Sequence, residues 1–305
     1  MDYPAKIILF GEYGILLNSN ALAIPYLRFS GRFRFPDSLK RHYSQHESES
    51  NSAMTKLNHY FKDHSEDFEF LDIQQFESDL ALGMYFDSSI PSGSGLGSSG
   101  ALSAAIYDRY AVNGALKDLP TIKSNLAAIE SCFHGVSSGI DPFISWIRKP
   151  VLFRNMKDPD TTVDLSPFFN TYTLFLINSH SPGNTGALVN YFMEKYQEAG
   201  FKELIEHEYI PVINQTIDSL LASDFSTFEI LLTRYSKLQL AHFRSMIPEK
   251  MINHFNHSLD TGQFFLKICG SGGGGYILGI SRDRSKAENY FNLNQLDYTV
   301  VEQRI

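Results

Sequence analysis

The sequence predicts a folded chain of mixed helix and strand in two parts, and three observations carry that expectation. The 305 residues are 43% hydrophobic and 20% charged, a balance that buries a sizeable core and excludes a disordered chain. Strand-like and helix-like segments alternate through the first half, whereas Thr185 to about Leu259 carries apolar positions at three- and four-residue spacing. The change of pattern falls near Lys157–Ser166 (KDPDTTVDLS), a polar, Pro-containing stretch. Residues 1–160 and 161–305 are therefore expected as two domains.

Lys6–Leu17 (KIILFGEYGILL) is rich in Ile, Leu and Phe and broken by Gly11 and Gly14, and it reads as a bent strand or hairpin. Arg32–Phe35 and Phe68–Leu71 alternate as short strands. Between them, Asp37–Ser52 reads as a polar surface loop or short helix and Ala53–Lys62 as a helix. Gly83–Ser88 reads as a strand that feeds Ile90-Pro91 and the run SGSGLGSSG. The helical spacing of ALSAAIYDRYAV after Gly100 places Ser98 and Ser99 in its capping region. Thr121–His134 is expected as a second helix, ending at Gly135. Val151–Arg154, Tyr172–Ile177, Phe264–Cys269, Tyr276–Ile280 and Tyr298–Ile305 read as strands.

The formal net charge is −8. The densest basic stretch, Lys40-Arg41-His42, stays isolated, so no nucleic-acid partner is expected. Cys132 and Cys269 lie far apart and form no CxxC pair; both are expected as small buried hydrophobes in a reducing compartment. No apolar run approaches the roughly 20 residues of a membrane helix, and the N-terminus lacks the basic-then-apolar pattern of a signal peptide. A cytoplasmic chain with no membrane partner is the expectation. His254 and His257 have i,i+3 spacing without an evident third metal ligand, while His134 and His180 fall near the candidate site segments.

Chemistry concentrates in three places. Pro91–Ser99 (PSGSGLGSS) sets glycines before a helix start. Bare backbone there approaches a ligand closely, and the helix aims N–H groups and a partial positive charge at it. That is an anion cradle suited to phosphates. Gly95–Gly100 matches GxGxxG, but so does Gly270–Gly275, and a Walker A loop fails because Ser98, not Lys, follows Gly97. From the residues alone, a structural Gly/Ser turn stays open. Glu130 and Asp141 flank SCFHGVSSGI; they either divide metal binding and proton removal or are a solvated Glu and a turn Asp. Lys6 either stabilises a developing alkoxide or is a solvated strand-end lysine.

Three segments in order, Lys6-Ile-Ile-Leu-Phe-Gly-Glu-Tyr13, Pro91–Ser99 and Lys267-Ile-Cys-Gly-Ser-Gly-Gly-Gly-Gly275, resemble the three motifs of the GHMP kinases, the superfamily of galactokinase, homoserine kinase, mevalonate kinase and phosphomevalonate kinase. Within it the resemblance is closest to the mevalonate kinase family. Glu130–Asp141 looks like that family's segment from metal-binding glutamate to catalytic aspartate, and Asn178–Thr185 is similar to its substrate-side segment.

The resemblance implies an α+β fold of two domains. The N-terminal, ATP-binding part would be of the ribosomal protein S5 domain 2 type and the C-terminal part ferredoxin-like, with the active site in the cleft between them. It implies Mg2+- and ATP-dependent phosphorylation of mevalonate to 5-phosphomevalonate on the route to isoprenoids. Asp141 and Lys6 would be catalytic. Pro91, Ser94, Gly95, Leu96, Gly97, Ser98 and Ser99 would bind ATP, and Ser99 and Glu130 the metal. Glu12, Tyr13, Thr185, Gly272 and Gly273 would face the substrate, and a homodimer is compatible with the resemblance. Three positions depart from the family: Tyr13 stands where histidine is usual, Gly183 where arginine is frequent and Gly100 where alanine is usual. The first two remove groups that could contact a carboxylate. Phosphomevalonate, a sugar, or the role of a catalytically silent sensor therefore stay as alternatives, and a nicotinamide-dependent oxidoreductase stands behind them.

Overall fold

The computed structural model of the chain describes residues 1–36, 44–112, 118–154, 158–181, 183 and 185–302. Tyr3–Phe10 forms β1 with every residue buried. A strand covered on both faces reads as a continuous apolar run, and Lys6 is the one charged residue in it. The strand stops at Gly11, whose φ of 115° only glycine adopts readily. A Cβ there would lie 2.5 Å from the Ala21 Cβ. A short 3-10 turn, Gly14–Leu17, returns the chain into β2, Ala21–Arg34. Of the bent strand or hairpin expected over Lys6–Leu17, only the part up to Phe10 is strand, and β2 is far longer than the Arg32–Phe35 strand expected. Its first half, ALAIPY, is apolar without alternation and holds Pro25, so it gives no period-2 signal.

The remaining strands are β3 (Tyr85–Ser88), β4 (Val151–Arg154), β5 (Asp158–Asp160), β6 (Thr173–Asn178), β7 (Phe265–Ile268), β8 (Tyr276–Ser281) and β9 (Tyr298–Val300). One sheet runs β1-β2-β4-β5 with β3 on β2, and the other runs β7-β8-β6-β9. The second is antiparallel throughout, with Phe175 opposite both Gly279 and Val300 and Leu266 opposite Gly279. β9 ends sooner than the expected closing strand, the last three residues of which lie outside the described residues.

The chain divides into two compact units that are not continuous in sequence. The first holds Met1–Lys6, Leu27–Pro91 and Gly97–Lys149; the second holds Ile7–Tyr26, Ser92–Leu96 and Pro150–Ile305. The first unit contains α1 (Gln45–Asp63), α2 (Ile73–Ala81), α3 (Ser98–Tyr110), α4 (Leu119–His134) and α5 (Ile140–Ile147). Ser44 and Glu47 make a capping box at the head of α1. This helix absorbs both Ala53–Lys62 and the latter part of Asp37–Ser52; positions 37–43, with Lys40-Arg41-His42, lie outside the described residues. Phe68–Leu71 is not a strand. Ser65–Phe68 is a 3-10 turn, and Leu71 makes a lone bridge to Ala111, because the Phe68 side chain is taken up by ring contacts with Phe61.

α3 begins at Ser98, with Gly97 in the left-handed region as its N-cap. Ser98 and Ser99 are thus the first two helical residues and not its cap. Gly100, Ala101, Ser103, Ala104 and Ala105 line its buried face, and their small size admits close neighbours. α4 starts from an Asp118 cap on the Thr121 N–H and ends at Gly135. α5, which sequence periodicity missed, starts at Gly139 and carries Asp141 in its first turn, where the helix dipole favours an anion.

The second unit contains α6 (Ser166–Thr171), α7 (Thr185–Lys195), α8 (Ala199–Leu204), α9 (Ile210–Leu221), α10 (Phe225–His242), α11 (Ile252–Thr261) and α12 (Arg284–Leu293). The helical expectation for 185–259 holds. Between α8 and α9, Ile205–Tyr209 is a π-helical turn, which adds a residue to the turn. Cys269 is buried as expected, whereas Cys132 is half-exposed. His254 contacts the Tyr290 hydroxyl and His257 stacks on the Tyr290 ring, both as packing groups. Among the described residues no helix is long and apolar enough to cross a membrane.

Candidate active site

The first unit gathers Lys6, Gly97, Ser99, Glu130 and Asp141. β1 delivers Lys6 with its side chain 2% exposed, and its Nζ lies 3.0 Å from Asp141 Oδ2; the Asp141 side chain keeps 27% of its surface open. Gly97 sits against this pair. A Cβ there would lie 3.0 Å from Lys6 Cγ and 3.3 Å from Asp141 Oδ2, and φ is 78°. Glycine is therefore needed twice, for conformation and for space. Gly100, one turn later, is needed for space alone, since a Cβ would stand 2.8 Å from both Asp141 Cβ and its carbonyl carbon. The departure from alanine at this position thus lets α3 press on the turn that carries Asp141.

Glu130, buried near the end of α4, accepts a hydrogen bond from Ser99 Oγ at 3.3 Å and another from Ser137 Oγ. Ser137 also accepts the Gly139 N–H at 2.9 Å, so one hydroxyl binds Glu130 and shapes the turn into α5. Burial, reinforced by the Asp141 charge, pushes the Glu130 carboxyl up to about 8, against the opposing pull of Ser137, Lys6 and Ser99. A cation beside it would reverse that preference. Ser137 had no assigned role in the sequence; its place in the Ser-Ser-Gly turn was the available signal.

The second unit gathers the glycine segments around Ser92–Leu96 and Gly270–Gly275. Their contacts are backbone on backbone. A Cβ on Gly95 would lie 2.8 Å from the Cys269 carbonyl oxygen, one on Gly270 2.9 Å from the Gly95 oxygen, and one on Gly275 2.5 Å from the Ser94 oxygen. Gly183 abuts this cluster too, its Cβ position 2.6 Å from the Gly93 oxygen. An arginine in this backbone position would have to leave past Gly93. Ser94 is buried and its hydroxyl accepts the Leu96 N–H at 3.4 Å, while the Leu96 side chain is fully buried. Leu96 therefore anchors the loop and offers a ligand only its backbone.

Tyr13 has φ 61°, unusual for an aromatic residue. Its hydroxyl donates to the Ser271 carbonyl at 2.5 Å, and its ring packs on Phe192 and Phe243. Gly273 N–H donates to Met246 O at 2.6 Å and Gly275 N–H to Ser181 O at 2.8 Å, so these two amides are already used. A Cβ on Gly272 would lie 2.4 Å from Met246 O. Glu12 is buried and paired with Lys267, the lysine that opens the third glycine segment. A lone lysine in the strand FLKI, buried at all four positions, was the signal for it. Thr185 opens α7, but its side chain, like that of His134, lies outside the described residues, as do residues 182 and 184. His180 is exposed, 3.3 Å from Asp297.

The two sheets, the glycine cradle and the Lys6–Asp141 pair define a GHMP kinase fold, and residues 57–147 match the family model described as GHMP kinases N terminal domain. Over residues 57–147 the chain is thus similar to the GHMP kinases. Among its relatives are mevalonate kinases. Those of Pyrococcus horikoshii and Pyrococcus abyssi are each 27% identical over 93% of this chain and 89% of their own length. The crystal structure of L. major mevalonate kinase in complex with R-mevalonate matches over 99% of this chain and 95% of its own, with a TM-score of 0.66 at 16% identity. Streptococcus pneumoniae phosphomevalonate kinase in complex with phosphomevalonate and AMPPNP matches over 99% of both chains, with a TM-score of 0.67 at 14% identity.

Proposed function

We propose that the chain transfers the terminal phosphate of ATP to the primary hydroxyl of mevalonate, giving 5-phosphomevalonate on a route to isoprenoids, in the cytoplasm. The observation that carries this reading is the Lys6–Asp141 pair seated against Gly97 and Gly100 of the glycine loop. The mevalonate kinase relatives supply the acceptor.

In this reading Asp141 takes the acceptor's hydroxyl proton, or balances its charge as a loose transition state collapses. Lys6, desolvated on its strand, stabilises the oxygen as it gains negative charge. The backbone of Gly95–Ser99, with the N-terminus of α3, receives the β- and γ-phosphates. Tyr13 and Gly272 line the acceptor side. The donor set fits Mg2+: Ser99 and Glu130 offer a hydroxyl and a buried carboxylate, and Mg2+ is commonly held by few protein oxygens together with nucleotide phosphates. When bound, the ion would offset charge on the phosphate oxygens.

A second acceptor deserves a place in the assay because of Tyr13 and Gly183. Neither supplies a cation for a carboxylate, and the Tyr13 hydroxyl is held by Ser271. ATP consumption is measured with mevalonate, phosphomevalonate and a panel of sugars. Turnover is expected with mevalonate. Turnover confined to another alcohol replaces the acceptor but keeps the reaction class, and nucleotide binding without any turnover leaves a silent sensor.

A further inference from the structure

Lys267 is the most enclosed charge among the described residues, with its side chain 0% exposed. An ammonium has three donors, and all three are taken. They go to the Glu12 carboxylate, to Ile268 O at 2.6 Å and to Ile8 O at 3.4 Å. The other Glu12 oxygen accepts from the Tyr235 hydroxyl at 2.9 Å. Gln239, one turn further along α10, donates to the Tyr209 hydroxyl at 3.1 Å and accepts the Ile268 N–H at 2.8 Å. The network thus grips the end of β1 through Ile8 and Glu12, and the end of β7 through both backbone groups of Ile268.

A buried ion pair is weak as a source of stability, because an apolar set of similar volume does as well or better; what such a pair can supply is a fixed register. The register at stake is that of Cys269–Gly275, which begins where the network ends. Gly270 and Gly275 meet Ser94 and Gly95 with bare backbone on both sides. No flexible side chain lies at those contacts to absorb a shift, and packed interiors transmit strain. Displacing Ile268 therefore displaces Ser94 and Gly95.

We infer that Lys267 and Tyr235 are positioning residues of phosphoryl transfer, acting through Glu12 and the Cys269–Gly275 turn to hold the Ser94–Gly95 part of the phosphate loop. This deepens the kinase reading and rests on it for its catalytic consequence. Neither side chain touches substrate. Glu12 acts on the loop through Lys267, and burial raises its affinity for a proton even against the opposing charge of Lys267.

Three variants of the full chain test this: Tyr235→Phe, Lys267→Met, and Lys267→Met combined with Glu12→Gln. Steady-state kinetics, thermal unfolding and amide hydrogen exchange of peptides covering 92–96 and 268–276 are read for each. Tyr235→Phe keeps its ring and loses one hydrogen bond. It is expected to lower kcat about 10-fold, with both KM values within about twofold, and to speed exchange at 92–96, since small misplacements act on the transition state. Lys267→Met is expected to lower kcat by about 100-fold and to lower Tm. Adding Glu12→Gln removes the stranded charge and restores most of the Tm, while kcat stays low. Recovery of kcat in step with Tm overturns the inference, as does unchanged exchange at 92–96 in Tyr235→Phe. A wild-type chain that phosphorylates no alcohol overturns the functional reading separately, and the exchange at 92–96 then decides alone whether the network holds the loop.

Discussion

Lys6 and Lys267 make the same kind of bond in two different settings. Each is a buried lysine on a strand, paired with a carboxylate near a glycine turn. Lys6 is 2% exposed and its partner Asp141 27%, whereas Lys267 and Glu12 are 0% and 1% exposed. The difference lies in the acid. Asp141 has an open side that an incoming hydroxyl can approach, and its loop neighbours are bare glycines. Glu12 has both oxygens spent, on Lys267 and Tyr235. On the proposed reading one pair exchanges a proton and the other holds backbone, so accessibility of the carboxylate would separate chemistry from scaffolding where charge alone does not.

The sharpest way to break this comparison is Asp141→Asn. It keeps the shape but removes the proposed base, and kcat is expected to fall by about 10³-fold with nucleotide binding retained. Titration with a non-hydrolysable ATP analogue and a turnover assay read the two effects separately, and near-normal turnover would remove Asp141 from its role. Lys6→Met leaves behind a partly hydrated acid, so it should cost activity far more than stability. Lys267→Met leaves a sealed acid without its partner and should cost about 3–5 kcal/mol in denaturant unfolding. Equal destabilisation of the two variants would erase the distinction. Gly100→Ala inserts a methyl against Asp141, with an expected loss of about 1–3 kcal/mol and a lower kcat; a variant that unfolds like the wild type would show that α5 yields freely. Ser99→Ala should raise the KM for Mg·ATP and leave that for the acceptor unchanged, and an effect on the acceptor alone would contradict its proposed role toward Mg·ATP. At the bottom of the scale, Arg154→Ala breaks a 3.4 Å pair with Asp218 in which both partners are more than half exposed. It should move stability by less than about 0.5 kcal/mol.

Legibility in the sequence followed the range of the interaction. The glycine loop and its helix were readable because φ freedom and helix starts are local properties, although the cap proved to be Gly97 and not a serine. Short elements with mixed faces, α2 and α12, carry too few residues for a period to emerge. α5 was hidden by Asp141-Pro142, which reads as a turn but is allowed in a first helical turn. Lys6, Glu130 and Asp141 were singled out by their resemblance to motifs, and the fold brings them together with Ser99. The Glu12–Lys267 pair joins residues 255 positions apart. No window on a single chain contains both, and without the pairing Glu12 reads only as an acid in a motif.

The π-helical turn at Ile205–Tyr209 has a consequence in terms of helical phase. An added residue rotates all that follows by about 100° relative to what precedes it. Tyr209, at the close of that turn, points its hydroxyl at the Glu12 backbone and the Tyr235 hydroxyl. A chain shortened by one residue between Glu206 and Glu208 would keep its composition, its helices and its apolar faces nearly intact. It would nonetheless set α8 and α9 out of step, and either Tyr209 or the packing of α8 would be lost from its present place. If the network holds the loop as inferred, its geometry depends on a count of residues in this helix as well as on their kinds.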